Sequence, residues 1–113
     1  WVAQYQLDAA PFLLSVPAVL NAPGSVTLTV TGATPGGSVQ LLYTEAGPGL
    51  TYQGAYGAYC SLTTPLSGPI RTANPVGVAT YTKFLPGGFV GRTFWLQAME
   101  SGRASNWEKR TVQ

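Results

Sequence analysis

The segment 25–31, Ser-Val-Thr-Leu-Thr-Val-Thr, alternates apolar and hydroxyl side chains, and this two-residue period restricts the fold more than any other feature of the chain. In an extended chain Val26, Leu28 and Val30 point to one side and the threonines point to the other. The glycine- and proline-rich stretch 32–37 that follows is typical of a turn. The alternation therefore predicts a half-buried β-strand here.

The rest of the chain repeats this succession of short strands and turns. Its 14 glycines and 9 prolines interrupt stretches rich in Val, Thr and aromatic residues, and helix signals are nearly absent. In the strand over 92–100, we expect Phe94, Leu96 and Ala98 to face the core. This spacing predicts one all-β domain, a sandwich or a barrel. Besides 25–31, the expected strands are 12–16, 38–44, 77–85, 92–100 and 104–112.

Charged residues are scarce, and histidine is missing from the sequence. The chain has 113 residues, of which 9% are charged, with four acids, six bases and a net charge of +2, whereas soluble domains usually carry about 25% charged residues. General acid–base catalysis has no paired groups here, and a thiolate at Cys60 has no histidine to activate it. Zinc or calcium lacks enough ligands, and no dense basic stripe suits nucleic acid. We expect no enzyme activity, catalytic residue, metal, cofactor or nucleic-acid partner.

The chain has no apolar run long enough for a transmembrane helix, so no membrane span is expected. It begins without Met, which we interpret as the removal of a secretory signal, with a trimmed fragment as the alternative. The expected location is therefore extracellular, at a cell surface. Cys60 fits either a small buried hydrophobe or an intermolecular disulfide.

Four stretches stand out as strand-and-turn patterns: 28–37 (LTVTGATPGG), 69–71 (PIR), 91–100 (GRTFWLQAME) and 102–106 (GRASN). Together they resemble a short immunoglobulin-like β-sandwich module found in secreted bacterial proteins. The resemblance covers the chain from about residue 12 to residue 113. It implies an immunoglobulin-like antiparallel β-sandwich of about seven strands and no catalytic residues. We accordingly divide the chain into an N-terminal extended arm, residues 1–10, and a sandwich domain, residues 11–113.

The N-terminal arm alternates like a strand. Trp1, Ala3, Tyr5 and Leu7 would share one face of an extended chain, with Val2 and two glutamines on the other. Such a strand either packs on its own domain or is donated to the next subunit, where main-chain hydrogen bonds and side-chain pockets would hold it. Donation that does not close on itself makes a filament.

Aromatic residues supply two further candidate contacts. The segment 46–69 is rich in Gly, Tyr and Pro and reads as a long connection, a kind of segment that is often functional. Its tyrosines, with one just before it, would pack over the sandwich, contact another subunit or bind a glycan. Two tryptophans are expected on adjacent strands, as a core pair or an exposed patch. The residues are Tyr43, Tyr52, Tyr56 and Tyr59 for the tyrosine cluster, and Trp95 and Trp107 for the pair.

These features favour a non-enzymatic extracellular structural protein that assembles with copies of itself into a fibre or surface layer. Low net charge removes repulsion between copies, and uncharged strand edges invite pairing. The alternatives are an adhesin-type or carbohydrate-binding module, which the tyrosine cluster would serve, and a passive spacer domain of a larger secreted protein.

Overall fold

The computed structural model describes residues 11–113, in which all the named strands pair antiparallel with their neighbours. The fold class of this part is therefore all-β, as the alternation predicted. One short 3₁₀ turn, Gly87–Phe89, follows β7. The strands are β1 (Leu13–Ser15), β2 (Gly24–Thr31), β3 (Ser38–Thr44), β4 (Pro48–Gln53), β5 (Ala58–Leu62), β6 (Leu66–Thr72), β7 (Ala79–Leu85), β8 (Thr93–Glu100) and β9 (Arg103–Thr111).

The strands of residues 11–113 form two main sheets and a hairpin. One sheet has three strands in the order β1-β2-β7, the other has four in the order β6-β3-β8-β9, and β4 pairs with β5. The turn after β2 leads the chain from the three-stranded sheet to the four-stranded sheet, so β2 and β3 do not pair. Gly77, in the loop before β7, lies against this turn, and a Cβ placed on it would lie 2.4 Å from the Ala33 carbonyl oxygen.

The main core lies between the two sheets and uses the faces that the alternation predicted. Leu28 and Val30 of β2 are buried in it, with Val26 partly buried. Phe94, Leu96 and Ala98 of β8 are buried in the same cluster, which confirms the expected inward set of that strand. Burying one such aliphatic or aromatic side chain contributes about 1.5–3 kcal/mol. This arrangement of layers is compatible with a β-sandwich.

The segment 46–69 differs from the expected long connection, because it contains two strands and the start of a third. Its centre is the β4–β5 hairpin, in which Tyr52 pairs with Tyr59, and Gly57 supplies a positive φ of 64° in the turn. The frequent glycines concealed the strand pattern in the sequence. Cys60 is a free and fully buried thiol that packs with Leu42 and Met99 on the outer face of the four-stranded sheet. Cys60 is thus a small buried hydrophobe in this fold.

Candidate interaction surfaces

One side of the sandwich is closed by side chains that join β1 to β9. The Asn106 Oδ1 accepts a hydrogen bond of 2.7 Å from the Leu14 backbone N–H, and its Nδ2 donates one of 3.0 Å to the Leu14 carbonyl. Arg110 donates to the carbonyl oxygens of Val16 and Pro17 at 3.0 and 2.8 Å. The amide of Asn106 thus occupies the hydrogen-bonding groups that a neighbouring strand would use.

The opposite side of the sandwich is open, because the two sheets differ in width. The three-stranded sheet ends at β7, whereas the four-stranded sheet continues past β3 to β6. Leu66 of β6 pairs with Tyr43, whose ring packs on the main core, so Leu66 lies on the core side of its sheet. Leu66 is nevertheless 57% exposed. Among residues 11–113, β7 contacts β6 at its Arg71 end, whereas Leu66 at the other end of β6 is left exposed.

A cleft of about 540 Å³ lies at this open side, and we call it the β6–β7 cleft. Its volume falls within the roughly 300–1,000 Å³ that is usual for binding pockets. Most of its lining is apolar, and it is contributed by both sheets. Its apolar lining includes Val26, Leu28, Leu41, Tyr43, Leu66 and Tyr81.

Tyr81 connects the two sheets beside the cleft. It is 1% exposed, and its hydroxyl donates a 2.6 Å hydrogen bond to the Val39 carbonyl oxygen on β3. Burial disfavours the phenolate and raises the pKa of Tyr81 to about 12, against a smaller opposing effect of the nearby Arg71. The Arg71 guanidinium carbon lies 5.8 Å from the centre of the Tyr81 ring. The hydroxyl is therefore held in its neutral, donating form.

Two basic groups border the cleft, in different electrostatic settings. Arg92 forms an exposed ion pair with Glu45. The hydrogen bond from the Arg92 guanidinium lowers the pKa of the Glu45 carboxyl, and the same contact raises the pKa of Arg92. Lys83 pairs with Val26 and so lies on the core-facing side of β7, yet it is exposed and lines the cleft. Among residues 11–113, Lys83 has no carboxylate partner.

The four tyrosines of the expected cluster lie in three separate places. Tyr43 is in β3, turned toward the main core, with its ring centre 6.4 Å from that of Phe94. Tyr56 lies in the β4–β5 turn and donates a 2.6 Å hydrogen bond to Gln40 Oε1. Tyr52 and Tyr59 meet edge to face at 5.1 Å, and both are more than half exposed. The structure therefore brings together two tyrosines of the four as an exposed surface.

Trp95 and Trp107 lie on neighbouring strands but are not opposite each other. Trp95 pairs with Lys109, whereas Trp107 pairs with Gln97, which lies two residues beyond Trp95 on the same face of β8. The Lys109 ammonium nitrogen lies 5.4 Å from the centre of the Trp95 ring. Trp107 is 40% exposed. Trp1, Ala3, Tyr5 and Leu7 of the expected donated strand lie outside the described residues.

Sequence reasoning did not single out Lys83 or Asn106. For Lys83 a signal was available: Ala79, Tyr81 and Leu85 share its phase in β7, so a lysine at that position interrupts an apolar face. Asn106 gave no such signal, because its partner Leu14 lies 92 residues away. In the described part of the chain, no group of three or more His, Cys, Asp or Glu residues could hold a metal, and no helix is long and apolar enough to cross a membrane.

Comparison with known proteins adds little to this description. No protein-family model and no curated protein matches the chain. Among solved structures, it is similar to Pseudomonas fluorescens alkylpurine DNA glycosylase AlkC bound to DNA containing an abasic site analog, with 9% identity and a TM-score of 0.37. The match covers 90% of this chain and 29% of that protein. A likeness this weak carries no argument about fold or function.

Proposed function

We propose that this chain is a non-enzymatic structural module that associates with copies of itself by strand addition, as part of an extracellular fibre or surface layer. The observation that carries the proposal is the open side of the sandwich at the β6–β7 cleft. An edge strand presents unpaired N–H and C=O groups, which can accept a further strand. Here that edge, on β7, borders an apolar cleft that the same strand could fill with its side chains.

The charge of the molecule supports association of like copies. Its net charge is +2, so copies repel each other weakly. In the described residues, three of the acids are already bound to Arg92, Arg103 and Arg110. Contacts between copies would therefore be dominated by apolar surface and main-chain hydrogen bonds.

We also infer that the sandwich is of the immunoglobulin-like type. The order β1-β2-β7 corresponds to strands A, B and E of that fold, and β3-β8-β9 corresponds to C, F and G. The strand β6, beside β3, takes the position of an added C′ strand. A strand D, which in constant-type domains lies beside E, has no counterpart next to β7 among residues 11–113, and its position is the open side.

Self-association is tested by removing residues 1–8 and measuring mass by light scattering over a range of concentrations, with electron microscopy of the same samples. We expect the full chain to form concentration-dependent oligomers or filaments and the shortened chain to stay monomeric. The control is Val76→Ser in the full chain, because Val76 is an exposed apolar residue in the loop before β7. A full chain that stays monomeric at about 1 mM, or a deletion that assembles like the full chain, would refute the proposal.

A second candidate function, glycan binding, is favoured by the exposed ring pair of Tyr52 and Tyr59. Leu50, on the same hairpin, is 75% exposed, and exposed aromatic rings with polar tips suit such contacts. A glycan array with Tyr52→Ala and Tyr59→Ala tests it, with Tyr56→Phe as the control. We expect a glycan ligand to be lost in both alanine variants and kept in the control. Binding that is indifferent to both alanine changes would count against it.

A further inference from the structure

We propose that the β6–β7 cleft is the acceptor site of this association, and that residues 1–7 of a second copy fill it by lying along the free edge of β7. The inference rests on the proposed self-association and adds the site, the occupant and the face that the occupant presents. It explains why side chains that join β1 to β9 close one side of the sandwich, while the side at β6 and β7 stays open.

The cleft opens where β6 and β7 diverge, near Leu66 and Lys83, because the two strands are in contact at the other end, near Arg71 and Tyr81. A strand beside β7 would lie opposite β6, since facing sheets pack about 10 Å apart and neighbouring strands lie about 4.8 Å apart. Such a strand would cover Leu66, which is on the core side of its sheet and 57% exposed. It would also complete a four-stranded sheet facing the existing four-stranded sheet.

The sequence of the arm has the periodicity that this position requires. A strand added to β7 continues its pleat, with one face toward the cleft and the other toward solvent. On β7, Tyr81 and Leu85 face inward, while Thr80 and Thr82 face outward. In the arm, the odd positions of residues 1–7 are Trp, Ala, Tyr and Leu, and the even positions are Val, Gln and Gln. The odd positions therefore suit the cleft.

Chain length favours a second copy over the arm of the same copy. Strand β1 lies at the far edge of the three-stranded sheet, so the position beside β7 is three strand spacings away, about 14 Å. The four steps from Pro11 back to Leu7 span at most about 14 Å when fully extended. That path would also have to cross the sandwich end where Gly77 and Ala33 are in backbone contact. The available chain only just equals the straight-line distance of about 14 Å, and a path around this contact is longer, which favours an arm from a second copy.

Lys83 restricts which strands this edge accepts. A lysine in the core-facing phase of an edge strand discourages nonspecific pairing, because an aliphatic neighbour would bury its charge. An aromatic neighbour instead offers its ring face to the ammonium group. Two of the four odd positions of the arm are aromatic, Trp1 and Tyr5. The arm is therefore a better partner for this edge than an aliphatic strand of equal length.

Cysteine cross-linking in the full chain tests both the site and the copy that supplies the strand. The double variants Ala3→Cys/Lys83→Cys and Tyr5→Cys/Lys83→Cys place thiols on the cleft-facing side of both strands, and mild oxidation is followed by a non-reducing gel. Neighbouring residues on one face of paired strands come close enough for a disulfide. Cys60 is fully buried and stays in place. The controls, Gln4→Cys/Lys83→Cys and Ala3→Cys/Thr82→Cys, put one thiol on the outward face.

We expect at least one of the two cleft-facing pairs to give a ladder of covalent oligomers, at least about fivefold stronger than either control. A cross-linked monomer without a ladder would show that the arm fills the cleft of its own copy, and would overturn the inference. Assembly by light scattering without any cross-link to position 83 would overturn the site while leaving self-association intact. A monomeric full chain would refute the proposed function itself. Circular dichroism of each variant shows whether it folds. If one of the two cleft-facing double variants does not fold, the other still tests the site.

Discussion

The hydroxyl of Tyr81 offers a direct test of how the two sheets are joined beside the cleft. Tyr81→Phe keeps the buried ring and removes the 2.6 Å hydrogen bond to the Val39 carbonyl oxygen. A buried hydrogen bond of this kind contributes about 0.5–1.5 kcal/mol to stability. We therefore expect the variant to unfold about 1 kcal/mol more easily near pH 8.

The same residue makes a pH-dependent contribution whose sign follows from its pKa. Burial raises the pKa of Tyr81 in the native state to about 12, above its ordinary value of 10.0. The native state thus holds the proton more tightly than the unfolded state, and this contribution is complete below pH 10 and lost as pH rises from 10 to 12. One pKa unit corresponds to about 1.4 kcal/mol, so about 2 kcal/mol is lost by pH 11.5.

Urea unfolding followed by far-ultraviolet circular dichroism between pH 8 and 11.5 measures both effects. The wild type should be the more stable protein at pH 8, and the order should reverse near pH 11.5 because phenylalanine cannot ionise. Tyr59→Phe, which removes an exposed hydroxyl, is the control for losing a tyrosine as such. If the wild type and Tyr81→Phe lose stability in parallel between pH 9 and 11.5, the reasoning from burial is wrong.

Three further predictions concern the contacts that set the shape of the sandwich, each checked by chemical denaturation. Asn106→Ala should cost about 1–2 kcal/mol, since two hydrogen bonds to the β1 backbone are lost; a neutral result would show that β1 is held by packing alone. Glu100→Gln should lower the free energy of unfolding by about 2–3 kcal/mol, because the Thr34 N–H and the Arg103 guanidinium each donate to one carboxylate oxygen and an amide nitrogen cannot accept either bond. A smaller loss in Glu100→Asp than in Glu100→Gln would support the need for a carboxylate. Gly77→Ala should be far more damaging than Gly57→Ala, because both have positive φ but only at Gly77 would a Cβ meet a backbone oxygen, at 2.4 Å. Equal losses at the two glycines would contradict the steric explanation.

The sequence predicted the strands well wherever one face is buried and the other is solvated. The expected strand 25–31 is β2, Gly24–Thr31, and the expected strand 77–85 contains β7, Ala79–Leu85. The turn between β8 and β9 lies in the gap between the expected strands 92–100 and 104–112, with Gly102 at a φ of 84°. Local periodicity sufficed for these elements, because the alternation reports directly which side of a strand meets the core.

The sequence was less informative where a strand is covered on both faces or on neither. In β3, both Leu41 and Leu42 are buried, because the β4–β5 hairpin folds over the outer face of the sheet. In β6, nearly every residue is exposed, and Pro69 interrupts the pattern. A two-residue alternation of apolar and polar residues arises only when one face is buried and the other is solvated. The sequence of neither strand therefore shows a clear alternation. For this reason the segment 46–69 read as a connection.

By itself, the amino-acid sequence of this protein determined an all-β fold and the inward faces of its main strands. It also shows directly that few residues are charged and that residues 1–7 have Trp, Ala, Tyr and Leu at the odd positions. Only the tertiary structure decided that β7 ends one sheet while β6 widens the other, and that the β6–β7 cleft opens between them. Periodicity reports which face of a strand is buried, but not which strand lies beside it. Strand order depends on contacts between distant parts of the chain, such as the 92 residues that separate Leu14 from Asn106.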